Sequence, residues 1–138
     1  MDIAPVTVSH QLTLELIDTN GNATPLAAEL SYDSVDPYAV SASFDTGDAR
    51  VRWVFARELL ASGLNEPTGD GDVHVWPCLD AQGRAVTIIE LSSPDGEALM
   101  QARSVDVTEF LHSAEMLVPA GTEADFVDVD GAISLLLA

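Results

Sequence analysis

The sequence predicts an α+β fold of two antiparallel β-sheets with helices in a duplicated sheet-then-helix arrangement. Three observations predict it. From Val6 to Leu16 apolar and polar residues alternate strictly, the period of a strand with one buried and one wet face. Turn signals such as Asn20-Gly21, Asp45-Thr46-Gly47-Asp48 and Pro94-Asp95-Gly96 separate further short apolar runs. A run of strands followed by a helix-forming stretch then occurs twice. At 138 residues the chain is expected to be a single domain spanning 1–138.

In the first strand Val6, Val8, His10, Leu12, Leu14 and Leu16 share a face. Asn20-Gly21 tolerates the positive φ of a tight hairpin. Leu26, Ala28, Leu30 and Tyr32 continue the alternation, as do Val40, Ala42 and Phe44, then Val51, Trp53 and Phe55. These make four strands in a meander. Ala56–Ser62 is rich in helix formers, and Gly63 stands where a left-handed C-terminal cap is expected. Asn65–Gly71, dense in Pro, Gly and Asp, reads as a loop. Strands resume over Asp72–Leu79, Ala85–Leu91 and Glu97–Arg103, the middle one apolar on both faces and so central. Asp106 and Glu109 have capping-box spacing, with Val105 and Phe110 at the staple positions. Val107, Phe110, Leu111 and Ala114 then form an amphipathic stripe, and a short terminal helix is expected from Asp130.

Charge narrows the function. Five Arg and no Lys stand against 23 acids, a net charge of −18. Such a field repels nucleic-acid phosphates and anionic membrane alike. No apolar run reaches the ~18 residues of a membrane span. Met1–Pro5 lacks the basic, apolar start of a signal peptide, so a soluble cytoplasmic protein is expected. The lone Cys78 excludes an internal disulfide framework and reads as a buried, inert thiol.

No chemistry-bearing constellation emerges. Asp70-Gly71-Asp72 and Asp128-Val129-Asp130-Gly131 resemble the opening of a calcium loop, but neither has the acid that closes one, and they read as a turn and a helix cap. His10, His74 and His112 fall on different elements without metal-ligand spacing. No serine sits in a nucleophile elbow. The sequence therefore assigns no catalytic, cofactor-binding or metal-binding residue, and the chain is expected not to be an enzyme. Trp53 reads as core, whereas Trp76 shares a strand face with His74 and Cys78 and is a candidate interface aromatic.

One series of segments resembles a known family. It begins with Asp36-Pro37-Tyr38-Ala39-Val40, Trp53–Leu60, Gly63-Leu64 and Pro67-Thr68-Gly69. It runs on through Gly71-Asp72-Val73, Val75-Trp76-Pro77, Leu91–Pro94, Gly96–Leu99, Val118-Pro119 and Gly121-Thr122-Glu123. In this order and spacing they resemble the SsgA-like family of sporulation and cell-division regulators. The resemblance covers about Tyr32 to Glu123. It implies a non-enzymatic protein that recruits the tubulin-like division protein FtsZ, or promotes its assembly, at division septa, its partner being FtsZ or another division-machinery protein. It also implies a fold like that of the whirly single-stranded-DNA-binding proteins, and a homo-oligomer, a trimer. Exposed sheet edges supply a physical reason for such association. His112-Ser113 stands where the family suggests basic residues, and from Ser104 onward there are seven acids and no Arg or Lys.

The partner contacts expected from this reading are the turn Asp36, Pro37 and Tyr38, the loop Pro67, Thr68 and Gly69, and Trp76. Rigid loops and aromatics on a sheet scaffold often bind. The alternative is a single-stranded nucleic-acid binder, suggested by the whirly-like fold alone. It needs a basic groove that five Arg against 23 acids do not supply.

Overall fold

The structure, a computed structural model, describes residues 6–127 and 135–137. Four strands, β1 (Thr7–Ile17), β2 (Ala23–Asp33), β3 (Ala39–Asp45) and β4 (Arg50–Ala56), lead into helix α1 (Arg57–Gly63). Four more, β5 (Thr68–Asp70), β6 (Val73–Leu79), β7 (Ala85–Ser93) and β8 (Gly96–Arg103), lead into α2 (Ser104–Leu117). A short 3-10 helix, Glu123–Phe126, follows. No described helix is long and apolar enough to cross a membrane.

The sheet-then-helix order is present twice, but the two expected sheets are one. The strand order is β4-β3-β2-β1-β8-β7-β6-β5, antiparallel throughout. The two meanders join where β1 meets β8, through Glu15↔Gln101, Leu16↔Met100 and Ile17↔Leu99. Each of these strands would otherwise end its meander with unpaired N–H and C=O groups, so pairing them removes two edges at once. Nothing local in the sequence encodes so distant a pairing.

The inner face of the sheet carries one continuous core. Leu14, Leu30, Tyr32 and Val40 from the first half join Val75, Ile89 and Met100 from the second. Helix α2 closes it with Val107, Phe110, Leu111 and Ala114, the stripe expected from the sequence, all buried. His10 of β1 meets this helix too. Its ring stands edge-on to Phe110, with centroids 5.7 Å apart, and its Nε2 is 3.2 Å from Ser113 Oγ.

Two hairpin turns share one construction. Asp18 Oδ1 accepts from the backbone N–H of Asn20 and Asn22, and Asp80 Oδ1 accepts from those of Gln82 and Arg84. Gly21 and Gly83 take the positive φ each turn requires, 82° and 78°. The Asn20-Gly21 hairpin is thus wider than a two-residue turn, organised by the acid that opens it.

Several local expectations are corrected. Helix α2 starts at Ser104, directly from β8, so Asp106 lies inside its first turn and no side chain caps the helix. Val105 is exposed and staples nothing. Gly63 is the last residue of α1 rather than a left-handed cap. It is small because a Cβ there would come within 2.2 Å of Val75 Cγ1, so it sets the close approach of α1 to β6. The segment read as a loop contains β5, which pairs with β6 through Thr68↔Val75, Gly69↔His74 and Asp70↔Val73. Cys78 is exposed rather than buried. The start of the expected terminal helix, at Asp130, lies outside the described residues, whereas 135–137 are helical.

Candidate functional site

The face of the sheet turned away from the helices differs between the two halves. On β1 to β4 it is polar, with Gln11, Thr13, Glu29, Ser43 and Arg50 lining a shallow groove. On β6 and β7 it carries Trp76 paired with Ile88, and Cys78 paired with Val86. Val86 and Ile88 are buried even though they point away from the core.

At the β5 end of this second face lies an open concavity of about 440 Å³, lined by Pro67, Thr68, Gly69, His74, Trp76 and Glu90. Hairpin register assembles it. Gly69 faces His74 across β5 and β6, and His74 faces Glu90 across β6 and β7. A Cβ on Gly69 would fall 2.3 Å from His74 Cδ2, so the missing side chain is what lets the imidazole lie over β5. His74 Nδ1 is 3.6 Å from Glu90 Oε1. Both are partly exposed.

Four of the residues nominated from sequence, Pro67, Thr68, Gly69 and Trp76, therefore share one site. His74 and Glu90 were not nominated. Glu90 had a signal, being the lone charged residue of β7.

The other nominated residues, Asp36, Pro37 and Tyr38, lie apart from this concavity, in the turn between β2 and β3. Pro37 is fully buried, and its carbonyl accepts the Tyr32 hydroxyl at 2.8 Å. Asp36 is exposed, its N–H donating to Asp33 O. Tyr38 is 54% exposed, while its carbonyl accepts Arg57 N–H at 2.8 Å. The turn thus has a buried backbone anchor and a free aromatic side chain. Burial pushes the Tyr32 hydroxyl above the usual tyrosine range, so it remains a neutral donor to Pro37.

Among the described residues no group of His, Cys, Asp and Glu is arranged to hold a metal ion. Asp70 and Asp72 flank the β5–β6 turn at Gly71, and Asp128 and Asp130 lie outside the described residues. The concavity offers an aromatic ring, a proline, an imidazole and a carboxylate on rigid strands, which is equipment for recognition.

Comparison with known proteins agrees with the segments read from the sequence. The profile of the SsgA family, described as Streptomyces sporulation and cell division protein, matches residues 26–123. The chain is 48% identical over 133 residues to the sporulation-specific cell division protein SsgB of Streptomyces coelicolor, covering 96% of each. A solved structure from work on SsgB mutations and longitudinal cell division in that organism superposes with a TM-score of 0.86 at 46% identity, over 91% of this chain and 99% of the other. The crystal structure of an SsgA-like sporulation-specific cell division protein from Thermobifida fusca superposes with a TM-score of 0.87 at 41% identity, over 98% of each. The chain belongs to the SsgA family of sporulation and cell division proteins.

Proposed function

We propose that the protein is a non-enzymatic regulator of sporulation-specific cell division, acting at division septa through protein–protein contacts that recruit FtsZ or promote its assembly. The observation that carries this reading is 48% identity, over nearly the whole of both chains, to a sporulation-specific division protein. The site supports it: Trp76 and the Pro67 loop form an open recognition surface, and Tyr38 presents a second exposed aromatic. Aromatic anchors of this kind carry much of the energy of protein interfaces. The family further suggests a trimer, which would cover sheet edges and apolar surface.

The test is co-sedimentation of purified FtsZ with GTP, in the presence and absence of this protein. Increased FtsZ in the pellet, with this protein alongside it, supports the proposal. Unchanged pelleting together with no complex by size-exclusion chromatography overturns it. The whirly-like likeness would favour single-stranded nucleic acid instead. Against it, three of the five arginines are already paired with acids: Arg50 with Glu29, Arg57 with Glu123 and Arg84 with Asp80.

A further inference from the structure

A second aromatic concavity lies where the curled sheet brings its first half against its second. About 290 Å³ in volume, it is lined by Trp53 of β4, Leu91 of β7, Ala98 of β8, and Ser93, Asp95 and Glu97 at the β7–β8 turn. Leu91 is buried and Trp53 half-buried, so the floor is apolar, whereas Asp95 and Glu97 are exposed at the mouth. No Arg or Lys lines it, and neither carboxylate has a cationic partner among the described residues. The volume is at the small end of the ~300–1,000 Å³ of small-molecule sites, the size for one long side chain. A tryptophan beside two unpaired carboxylates suits a guanidinium or ammonium group, which gains from the ring and the charges together.

Strand β4 shows how such a side chain would arrive. Among the described residues it ends the sheet, and its seven residues pair only with β3, from Ala39↔Ala56 to Asp45↔Arg50. Its other edge is a template for an added strand. A strand added there would set alternate residues beside Trp53 and the others beside Arg52 and Arg50 on the outer face. The two arginines would repel basic residues in the outward positions, so the favoured segment is basic on one face only.

We infer that the free edge of β4 and the Trp53–Asp95–Glu97 concavity form a docking site for an extended, basic segment of a partner protein, which adds as a strand and seats an Arg or Lys side chain on Trp53. The inference is independent of FtsZ, and its test uses none. In a Trp76→Phe background Trp53 is the sole tryptophan, and its fluorescence reports occupancy. The probe is a short capped peptide alternating arginine with threonine, compared with one alternating glutamine with threonine. The arginine peptide should give a saturable change in Trp53 emission that weakens with salt. The glutamine peptide and the Asp95→Asn/Glu97→Gln variant should each lose about tenfold in affinity or more, as for a lost charge-assisted contact. Asp70→Asn/Asp72→Asn, the same change of charge elsewhere, should leave binding intact. Backbone N-methylation of the peptide should abolish binding. Equal loss in the two charge variants would mean general attraction to an acidic protein and overturn the proposal. So would equal binding of the glutamine or N-methylated peptide, or no response to the arginine peptide.

Discussion

Arg57 Nη2 is paired with Glu123 Oε1 at 2.5 Å, joining the first residue of α1 to the 3-10 helix that follows α2. The same guanidinium donates to Val118 O at 2.7 Å and lies 5.0 Å from the centroid of the Tyr32 ring. The Arg57 backbone N–H holds Tyr38 O, so one buried residue connects the end of α2 to the β2–β3 turn. Replacing Arg57 with Met strips a buried carbonyl of its partner, which alone costs about 1–3 kcal/mol. Urea denaturation of Arg57→Met should show at least that loss, and an unchanged midpoint would deny the network a stabilising role.

Acid should weaken this connection. The Glu123 carboxyl is held below its ordinary value of 4.5, first by its own backbone N–H and then by the Arg57 guanidinium. A depressed carboxylate stabilises the fold above its unfolded-state value, and that contribution disappears as pH falls through the folded value. The melting temperature should therefore fall on acidification below about pH 4.5. Glu123→Gln should remove part of that acid dependence. An identical acid limb in wild type and variant would contradict this assignment.

Helix α2 separates what its pattern reveals from what it conceals. Phe110 is fully buried, and Phe110→Ala should cost about 3–5 kcal/mol. Asp106 lies in the first turn without capping it, so Asp106→Ala should lose only a helix-dipole contribution of about 0.3–1 kcal/mol. Equal effects in thermal melts would show that the helix face has been misassigned.

The buried stripe of α2 was legible because periodicity records which face is covered. The helix start was not, because β8 runs straight into α2 and the Asp106/Glu109 spacing points three residues too late. β5 was hidden for a related reason: Thr68-Gly69-Asp70 has turn composition and is a strand only by pairing with β6. Pro67, Thr68, Gly69 and Trp76 were each visible in the sequence, but only the hairpin register places them together with His74 and Glu90. In Asp36-Pro37-Tyr38 the sequence could not show that the proline is buried and the tyrosine free.

Gly63 offers a test of close packing. Gly63→Ala puts a methyl group 2.2 Å from Val75 Cγ1 and 3.2 Å from the Val75 carbonyl carbon, so α1 must move off β6. Overpacking of this kind costs about 1–3 kcal/mol. Val75→Ala should relieve part of it, so the double variant should lose less stability than the two single losses added. Strict additivity in denaturant melts would mean that the two residues do not meet.

Oligomer formation should respond to salt in a defined direction. Each protomer carries −18, and like charges oppose association until they are screened. Light scattering at micromolar concentration should find a species above the monomer mass, the trimer by family likeness, that gains population as salt rises. Monomer at every salt concentration would refute the assembly, and dissociation by salt would refute the electrostatic argument.

Tyr38 decides whether its turn is a contact or only a piece of architecture. The architecture rests on the Pro37 carbonyl, the Tyr32 hydroxyl and the Arg57 N–H, none of which needs the Tyr38 ring. The residue is 54% exposed, so Tyr38→Ala should change stability by no more than about 0.5 kcal/mol, as at other surface positions. If the ring anchors a partner, the same substitution should weaken FtsZ co-sedimentation by tenfold or more in affinity, about 1.4 kcal/mol, within the range of interface aromatics. Tyr38→Phe should retain most of the binding, because an apolar anchor needs the ring more than the hydroxyl. Trp76→Ala, on the far half of the sheet, separates the two surfaces. A loss with Trp76→Ala and none with Tyr38→Ala places the contact at the Pro67 concavity and removes the β2–β3 turn from it. A loss of stability in Tyr38→Ala with binding intact would make the residue structural after all.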